Sequence, residues 1–580
     1  MDGDRTLYAP PHTGRSTFPC HSLFARLVRF AHQQPPRLCV RDADDAGLEA
    51  THIQLLSDVL ALRERLRPNL SSDVRAALER REEVYIAVLA PGGYEYTVAM
   101  LAVLALGAAV VPLSVAVPAA EAVYFATKAR AAAVVCSSGA PLRLGVALEK
   151  MMKDRDPTST FACVPVAPST FTPCLRPDQL IVSSDLYLDD NAPGVVIFTS
   201  GTTGQPKGAV MRRGYTFEGA LAVADHYRIT QDDVLLHLLP VHHATGLGIM
   251  FFPFLVSGAL IEFRSSGGFS PEWTWERWRR GEGLTFFSGV PTIYMRMRRY
   301  FETTLAKRAD VGEYVAGARK LRACLCGTSA LPKPISDFWT DILGQKILLR
   351  YGATEIGAVF KVPLTNNEDV PDGSVGTLFA GCDVRLSEGD EGEVLVKSPE
   401  MFSKYLLDPD ATRAAHTEEG YYRTGDIARR EGEFYFILGR ASVDIIKSGG
   451  YKISALDIER EIMALPYVAE VMVVGVPDEE FGERVAAAIC LKDARDMERP
   501  VQNLTIDRLR RDLRERLAGY KMPTLLMIVD SELPKSGTGK VVKKVLGPRF
   551  FPADYGTRAE VQVWRPGEEE RRNGRLKAKL

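Results

Sequence analysis

The sequence predicts an α/β protein, with a large N-terminal domain of packed β-sheets and helices followed by a small α+β C-terminal domain. Three observations predict it. From Glu83 onward, short β-rich runs (84–89, 133–135, 195–198) alternate with Ala- and Leu-rich stretches of helical length, the pattern of helices laid on largely parallel sheets. Near Gly439 the pattern changes. Ile458, Ile462 and Leu465 there share one face of a helix that Pro466 stops, and the strands 469–475 and 484–491 follow. The composition is ordinary for globular chains, 46% apolar and 25% charged, and 580 residues suffice for several cores.

The N-terminus has two early aspartates, Asp2 and Asp4, and no apolar run, so no secretory signal is expected there. Residues 98–120 carry no charge and superficially resemble a membrane span. Pro112 and Pro118 interrupt the stretch, which divides into a buried helix (98–106) and a short strand (109–112), so no membrane span is expected. The domains are placed at 1–438 and 439–548, with a charged tail at 549–580. With 72 basic and 73 acidic residues the chain offers no general attraction to nucleic acid. Nine cysteines include one close pair, Cys324 and Cys326, without Cys or His neighbours, and both read as reduced, partly buried thiols.

The run Thr199-Ser-Gly-Thr-Thr-Gly-Gln-Pro-Lys-Gly208 follows the apolar strand 195–198. Gly201 and Gly204 permit a tight loop whose N–H groups turn toward phosphate. Thr199, Ser200, Thr202 and Thr203 add hydroxyl donors, and Lys207 adds positive charge. It reads as a phosphate loop outside the P-loop NTPase pattern, because no Gly-Lys-Ser/Thr ending is present.

That segment resembles the signature of the adenylate-forming superfamily of acyl-CoA synthetases, luciferases and peptide-synthetase adenylation domains. Further motifs follow in the family's order over about residues 80 to 545. Tyr351-Gly-Ala-Thr-Glu355 resembles the element in which the tyrosine, with Gly352 and Ala353, lies against adenine, Thr354 reaches the α-phosphate and Glu355 holds Mg²⁺. Gly327-Thr328-Ser329 resembles a wall of the adenine and acyl pockets, Asp426 of Tyr421–Asp426 a ribose acceptor, and Arg440 a ribose or phosphate contact. Lys447, Ser448, Gly449 and Gly450 resemble the coenzyme A passage beside a hinge that is either Ser442 or Asp444. Lys540, on the loop Leu533–Lys540, resembles the lysine that stabilises the charge shared between acyl carboxylate and α-phosphate. The resemblance implies an ATP-dependent acid–coenzyme A ligase with a mobile C-terminal domain. Lys540, Glu355 and Thr202 are its expected catalytic residues. ATP, Mg²⁺, coenzyme A and a small carboxylic acid are the expected ligands.

For the acid, Arg350 precedes the tyrosine motif, as in malonyl-CoA synthetases, where a guanidinium can pair with a second carboxylate. His242, His243, Val290 and Arg296 are the other expected pocket residues. Thr245 departs from that branch, which tends to carry a second histidine there. The alternatives are a ligase for a medium-chain, branched or aryl monocarboxylate and, third, a carrier-loading adenylation protein. Finally, Ala578-Lys579-Leu580 resembles the address read by a peroxisomal import receptor, which sets a peroxisomal location against a cytoplasmic one.

Overall fold

A computed structural model of the chain describes residues 17–44, 48–166, 174–199, 206–265, 268–327, 331, 333–365, 367–449, 451–479, 481–493, 503–535 and 540–565. Among these, the large domain is built on two main sheets with helices between and around them. The first has strand order Lys404–Tyr405, Lys207–Arg212, Pro193–Thr199, Ala109–Leu113, Tyr85–Leu89, Ala133–Cys136, Ala162–Pro165. Its strands from Ala109–Leu113 to Ala162–Pro165 pair in parallel, as the strand–helix alternation predicts.

The second sheet runs Thr377–Leu378, Gly357–Lys361, Leu348–Ala353, Ala323–Cys326, Phe286–Gly289, Val234–His237, Leu260–Phe263, Leu38–Asp42, Glu49–Thr51. The centre is parallel, and the hairpin Leu348–Ala353/Gly357–Lys361 reverses direction at one side. The uncharged stretch lies in the core: helix Tyr94–Leu106 is buried along nearly its whole length and packs on helix His52–Leu66. An apolar surface on every side suits an element enclosed on all sides. No helix of the described residues is long and apolar enough to cross a membrane. Cys324 and Cys326 are buried in the strand Ala323–Cys326.

A four-stranded antiparallel sheet (Asp383–Glu388, Glu391–Lys397, Tyr422–Glu431, Phe434–Arg440) closes the large domain. The boundary expected at 438/439 falls inside its last strand, so the sheet carries the first unit through Arg440. The small domain has its own sheet of Tyr451–Ser454, Ile445–Ser448, Gly482–Leu491, Leu525–Val529 and Val561–Val563, with Val468–Asp478 paired to Gly482–Leu491. Helix Ala455–Met463 packs Ile458 and Ile462 into a separate apolar core. The tail expected to begin at 549 starts later. Phe550, Phe551 and Val561 are buried, and Val561–Val563 pairs with Leu525–Val529, because these apolar residues cover the other face of the small sheet.

Candidate active site

The strands Phe286–Gly289, Ala323–Cys326 and Leu348–Ala353 run parallel and end on the same side of the sheet. Val290, Gly327 and Thr354 follow directly at those carboxyl ends, the usual ligand side of such sheets. The glycine-rich segment joins the antiparallel strands Pro193–Thr199 and Lys207–Arg212, where Thr199 pairs with Lys207 and its hydroxyl donates to the Lys207 carbonyl at 3.4 Å. Lys207 Nζ sits 5.3 Å from the centre of the Tyr405 ring. Ser200, Gly201, Thr202, Thr203 and Gly204 lie outside the described residues, as do Thr328, Ser329 and Gly450.

Tyr405 links this hairpin to the next motif, donating its hydroxyl to Glu355 Oε1 at 2.8 Å. Thr354 and the buried Glu355 occupy the turn between Leu348–Ala353 and Gly357–Lys361. Glu355 offers one carboxylate, and no group of three or more potential metal ligands exists among the described residues. A single carboxylate fits Mg²⁺, which completes its shell with phosphate oxygens and waters.

Tyr351, Asp426 and Arg440 come together although they are distant in sequence. Asp426 and Arg440 are directly paired across the hairpin Tyr422–Glu431/Phe434–Arg440. Asp426 Oδ2 accepts the Tyr351 hydroxyl at 2.8 Å, and Oδ1 accepts Arg440 Nε at 2.8 Å. Burial and the Asp426 carboxylate push the Tyr351 hydroxyl well above its ordinary pKa, so the tyrosine is neutral. Lys540 reaches this group from the small domain. Its ammonium is drawn below its usual pKa by burial and by Arg440, against the pull of Asp426.

Lys540 also acts on His243 in the large domain. Burial, then Lys540 and His242, lower His243 to about 4, and burial lowers His242. Both are neutral at physiological pH. His243 Nδ1 accepts the Thr245 N–H at 3.4 Å, which leaves Nε2 protonated as a donor. The donor is the backbone N–H of residue 245, so this tautomer does not depend on threonine standing there. Val290 is half-buried at the start of helix Pro291–Thr303. Arg296, on the same helix, is not brought into this group: its side chain is exposed and its guanidinium lies 5.0 Å from the centre of the Phe269 ring.

Arg350 points inward. It is 6% exposed, and neither Nη1 nor Nη2 has a hydrogen-bond partner among the described residues. A Cβ on Gly327 would meet Arg350 Nε and Cγ at 3.1 Å, so the arginine side chain lies close against the end of strand Ala323–Cys326. A buried guanidinium without a partner is costly unless an anion reaches it.

At the expected hinge, Gly439 has φ +128°, and a Cβ there would lie 2.4 Å from that of Asp444. Asp444 Oδ2 accepts the Arg440 N–H at 3.0 Å and Oδ1 accepts Lys543 Nζ at 2.6 Å, whereas Ser442 is exposed. Lys447, Ser448 and Gly449 form the adjoining hairpin edge. Lys447 is exposed, with its N–H on Glu483 Oε2 at 2.6 Å, and the Gly449 N–H donates to Phe481 at 2.9 Å. Sequence reasoning missed Tyr405, Lys361 and Lys543. Tyr405 stands in no motif, but Lys361, in the apolar run 356–363, was a visible signal.

A family model described as AMP-binding enzyme matches residues 29–406. The chain belongs to the AMP-binding enzyme family. The AMP-binding enzyme C-terminal domain matches residues 457–540. Among similar family members, a malonate–CoA ligase of Arabidopsis thaliana is 37% identical over 64% of this chain; the match spans 62% of the relative, less than two thirds of its length. A CoA ligase of Gibberella moniliformis is 32% identical over 88% of this chain and 92% of its own. The mitochondrial malonate–CoA ligase of Homo sapiens is 32% identical over 82% and 84%. Among solved structures, ATP-bound MatB from Rhodopseudomonas palustris superimposes with a TM-score of 0.74 at 25% identity, covering 92% of this chain and 99% of that one.

Proposed function

We propose that the protein is an ATP-dependent, AMP-forming acid–CoA ligase whose acid is malonate or a similar small dicarboxylate. The observation that carries the choice of acid is the Arg350 guanidinium, buried at the end of the central strands with neither Nη partnered among the described residues. The names of the Arabidopsis and human relatives support the same acid. In the first half-reaction an acid oxygen attacks the α-phosphorus and pyrophosphate leaves. Lys540 stabilises the charge that builds between carboxylate and phosphate, and the Thr199–Lys207 hairpin, with Thr202 in its loop, holds the phosphates. Asp426 accepts the ribose hydroxyls, Arg440 steadies that carboxylate and Tyr351 lies against adenine. Glu355 would hold Mg²⁺, which would supply neutralisation of the phosphate charge. In the second half-reaction the coenzyme A thiol, losing its proton, attacks the acyl carbon past Lys447–Gly450, and AMP leaves. Rotation at 441–444 withdraws Lys540 and opens that path.

Pyrophosphate release with ATP, Mg²⁺ and coenzyme A across malonate, methylmalonate, hexanoate and a cinnamate-type acid, repeated for Arg350→Ala, tests this reading. Preference for malonate that Arg350→Ala abolishes supports it. A monocarboxylate preference unchanged by Arg350→Ala overturns the dicarboxylate assignment and favours the general CoA ligase, the kind of name the Gibberella relative carries.

For location, Ala578-Lys579-Leu580, which lies outside the described residues, supports peroxisomal delivery where Leu580 carries the terminal carboxylate. Peroxisomal fluorescence of an N-terminally tagged protein, lost when the tripeptide is removed, is the expected result. A mitochondrial or diffuse signal contradicts it.

A further inference from the structure

In the hairpin Leu348–Ala353/Gly357–Lys361, Arg350 stands directly opposite Lys361. The Val362 N–H donates to the Leu349 carbonyl at 2.9 Å, so Arg350 and Lys361 form a non-hydrogen-bonded pair, the kind whose side chains share one face at closest approach. Like charges so placed repel, and the ordinary solution is to turn them to solvent. Here both are buried, Arg350 at 6% exposure and Lys361 at 0%. Neither Arg350 Nη nor Lys361 Nζ has a hydrogen-bond partner among the described residues. Lys361 Nζ lies 3.0 Å from the centre of the Phe379 ring, which softens the burial of its charge without neutralising it.

The polar atoms around the two cations are unsatisfied as well. Tyr227 is fully buried with its hydroxyl turned to Arg350, which acts on it, and that hydroxyl has no other partner among the described residues. Glu400 is the carboxylate that acts on Lys361, and its Oε1 is likewise without a partner. Two cations and one carboxylate leave one uncompensated positive charge. Burial draws the Lys361 ammonium down to about 8, so it keeps its proton at neutral pH.

We propose that Lys361 is a second specificity-determining cation of the acid pocket, sharing with Arg350 the distal carboxylate of a dicarboxylic acid. The proposal rests on the dicarboxylate reading above and adds a residue to it. A carboxylate has two oxygens and about four lone-pair directions, enough for a guanidinium and an ammonium together. Its charge also balances the layer. A monocarboxylate would leave that one positive charge uncompensated, which discriminates against it without any steric device. The rival arrangement is a structural one, in which Lys361 only offsets Glu400.

The test measures kcat and KM for malonate and for butyrate, similar in size but lacking the second charge, with the full-length enzyme and Lys361→Met, Lys361→Arg and Arg350→Met. Lys361→Met is expected to raise the malonate KM about 30-fold or more and to leave the butyrate KM unchanged or lower, although stranding the buried Glu400 also lowers its melting temperature. Lys361→Arg is expected to recover most of the malonate affinity. Equal changes for malonate and butyrate, or an unmoved malonate KM, overturn the proposal. A lowered melting temperature in Lys361→Met with no malonate-specific change in KM assigns the residue to Glu400 alone and also overturns it. If wild type prefers malonate and Arg350→Met abolishes the preference while Lys361→Met retains it, Lys361 alone is refuted. If wild type does not prefer malonate and Arg350→Met changes nothing, the dicarboxylate reading fails and this proposal with it.

Discussion

Lys543 holds its ammonium 2.6 Å from Asp444 Oδ1 and 2.8 Å from Glu459 Oε1. Burial would lower its pKa, but the two carboxylates outweigh that and keep it charged. Because Asp444 belongs to the 441–444 turn and Lys543 follows Lys540 by three residues, the contact ties the lysine loop to the turn. Lys543→Met strands both carboxylates and is expected to cost about 3–5 kcal/mol of stability, seen as an earlier thermal transition. Adenylation is expected to slow at temperatures where the variant remains folded. Unchanged melting and unchanged rate would show that the tie does not matter.

Lys540→Ala is expected to reduce adenylate formation at least about 100-fold. Thioester formation from supplied malonyl-adenylate and coenzyme A should change far less, because Lys540 belongs to the first half-reaction alone. Single-turnover measurement of each half-reaction separates the two. An equal loss in both would place Lys540 in a general structural role.

Asp426 serves Tyr351 and Arg440 at once. Asp426→Ala removes the ribose acceptor and leaves both partners short of a bond, so the KM for ATP is expected to rise about tenfold or more while the KM for coenzyme A holds. Initial-rate kinetics with each substrate varied in turn checks this, and a parallel rise in both constants would contradict it.

Burial as the first cause lowers His52, His226, His237 and His243 to about 4. An unfolded histidine takes its proton near pH 6.5. Between about 4 and 6.5 the unfolded chain therefore binds more protons than the folded one, and stability falls as the pH drops through that window. Urea midpoints at pH 7, 6 and 5 should decrease in that order. His52→Leu should flatten part of the slope, because it removes one of the buried histidines that titrate in this window. An unchanged slope would contradict the assignment.

Much of this was legible in the sequence because it depends on local pattern. Periodicity placed the strand Tyr85–Leu89 and the helix Ala455–Met463, and the apolar stretch from Val98 resolved into helix and strand, although the break is made by Gly107 and Pro112 lies inside the strand. The motifs brought Tyr351, Asp426, Arg440 and Lys540 to one place. What the sequence hid depends on cross-strand register. Arg350 and Lys361 are eleven positions apart, and only the hairpin register shows that they face each other. Tyr405 reaches Glu355 through a two-residue strand too short to read as periodicity. The end of the small domain was misjudged because charged residues surround Phe551 and Val561, whose burial is set by the sheet they join.

The central claim, that this chain joins an acid to AMP before coenzyme A enters, is tested most directly by acid-dependent exchange of labelled pyrophosphate into ATP without coenzyme A. The account predicts exchange with malonate, loss of it in Lys540→Ala, and AMP as the only nucleotide product once coenzyme A is added. Exchange that requires coenzyme A, or the appearance of ADP, would contradict it.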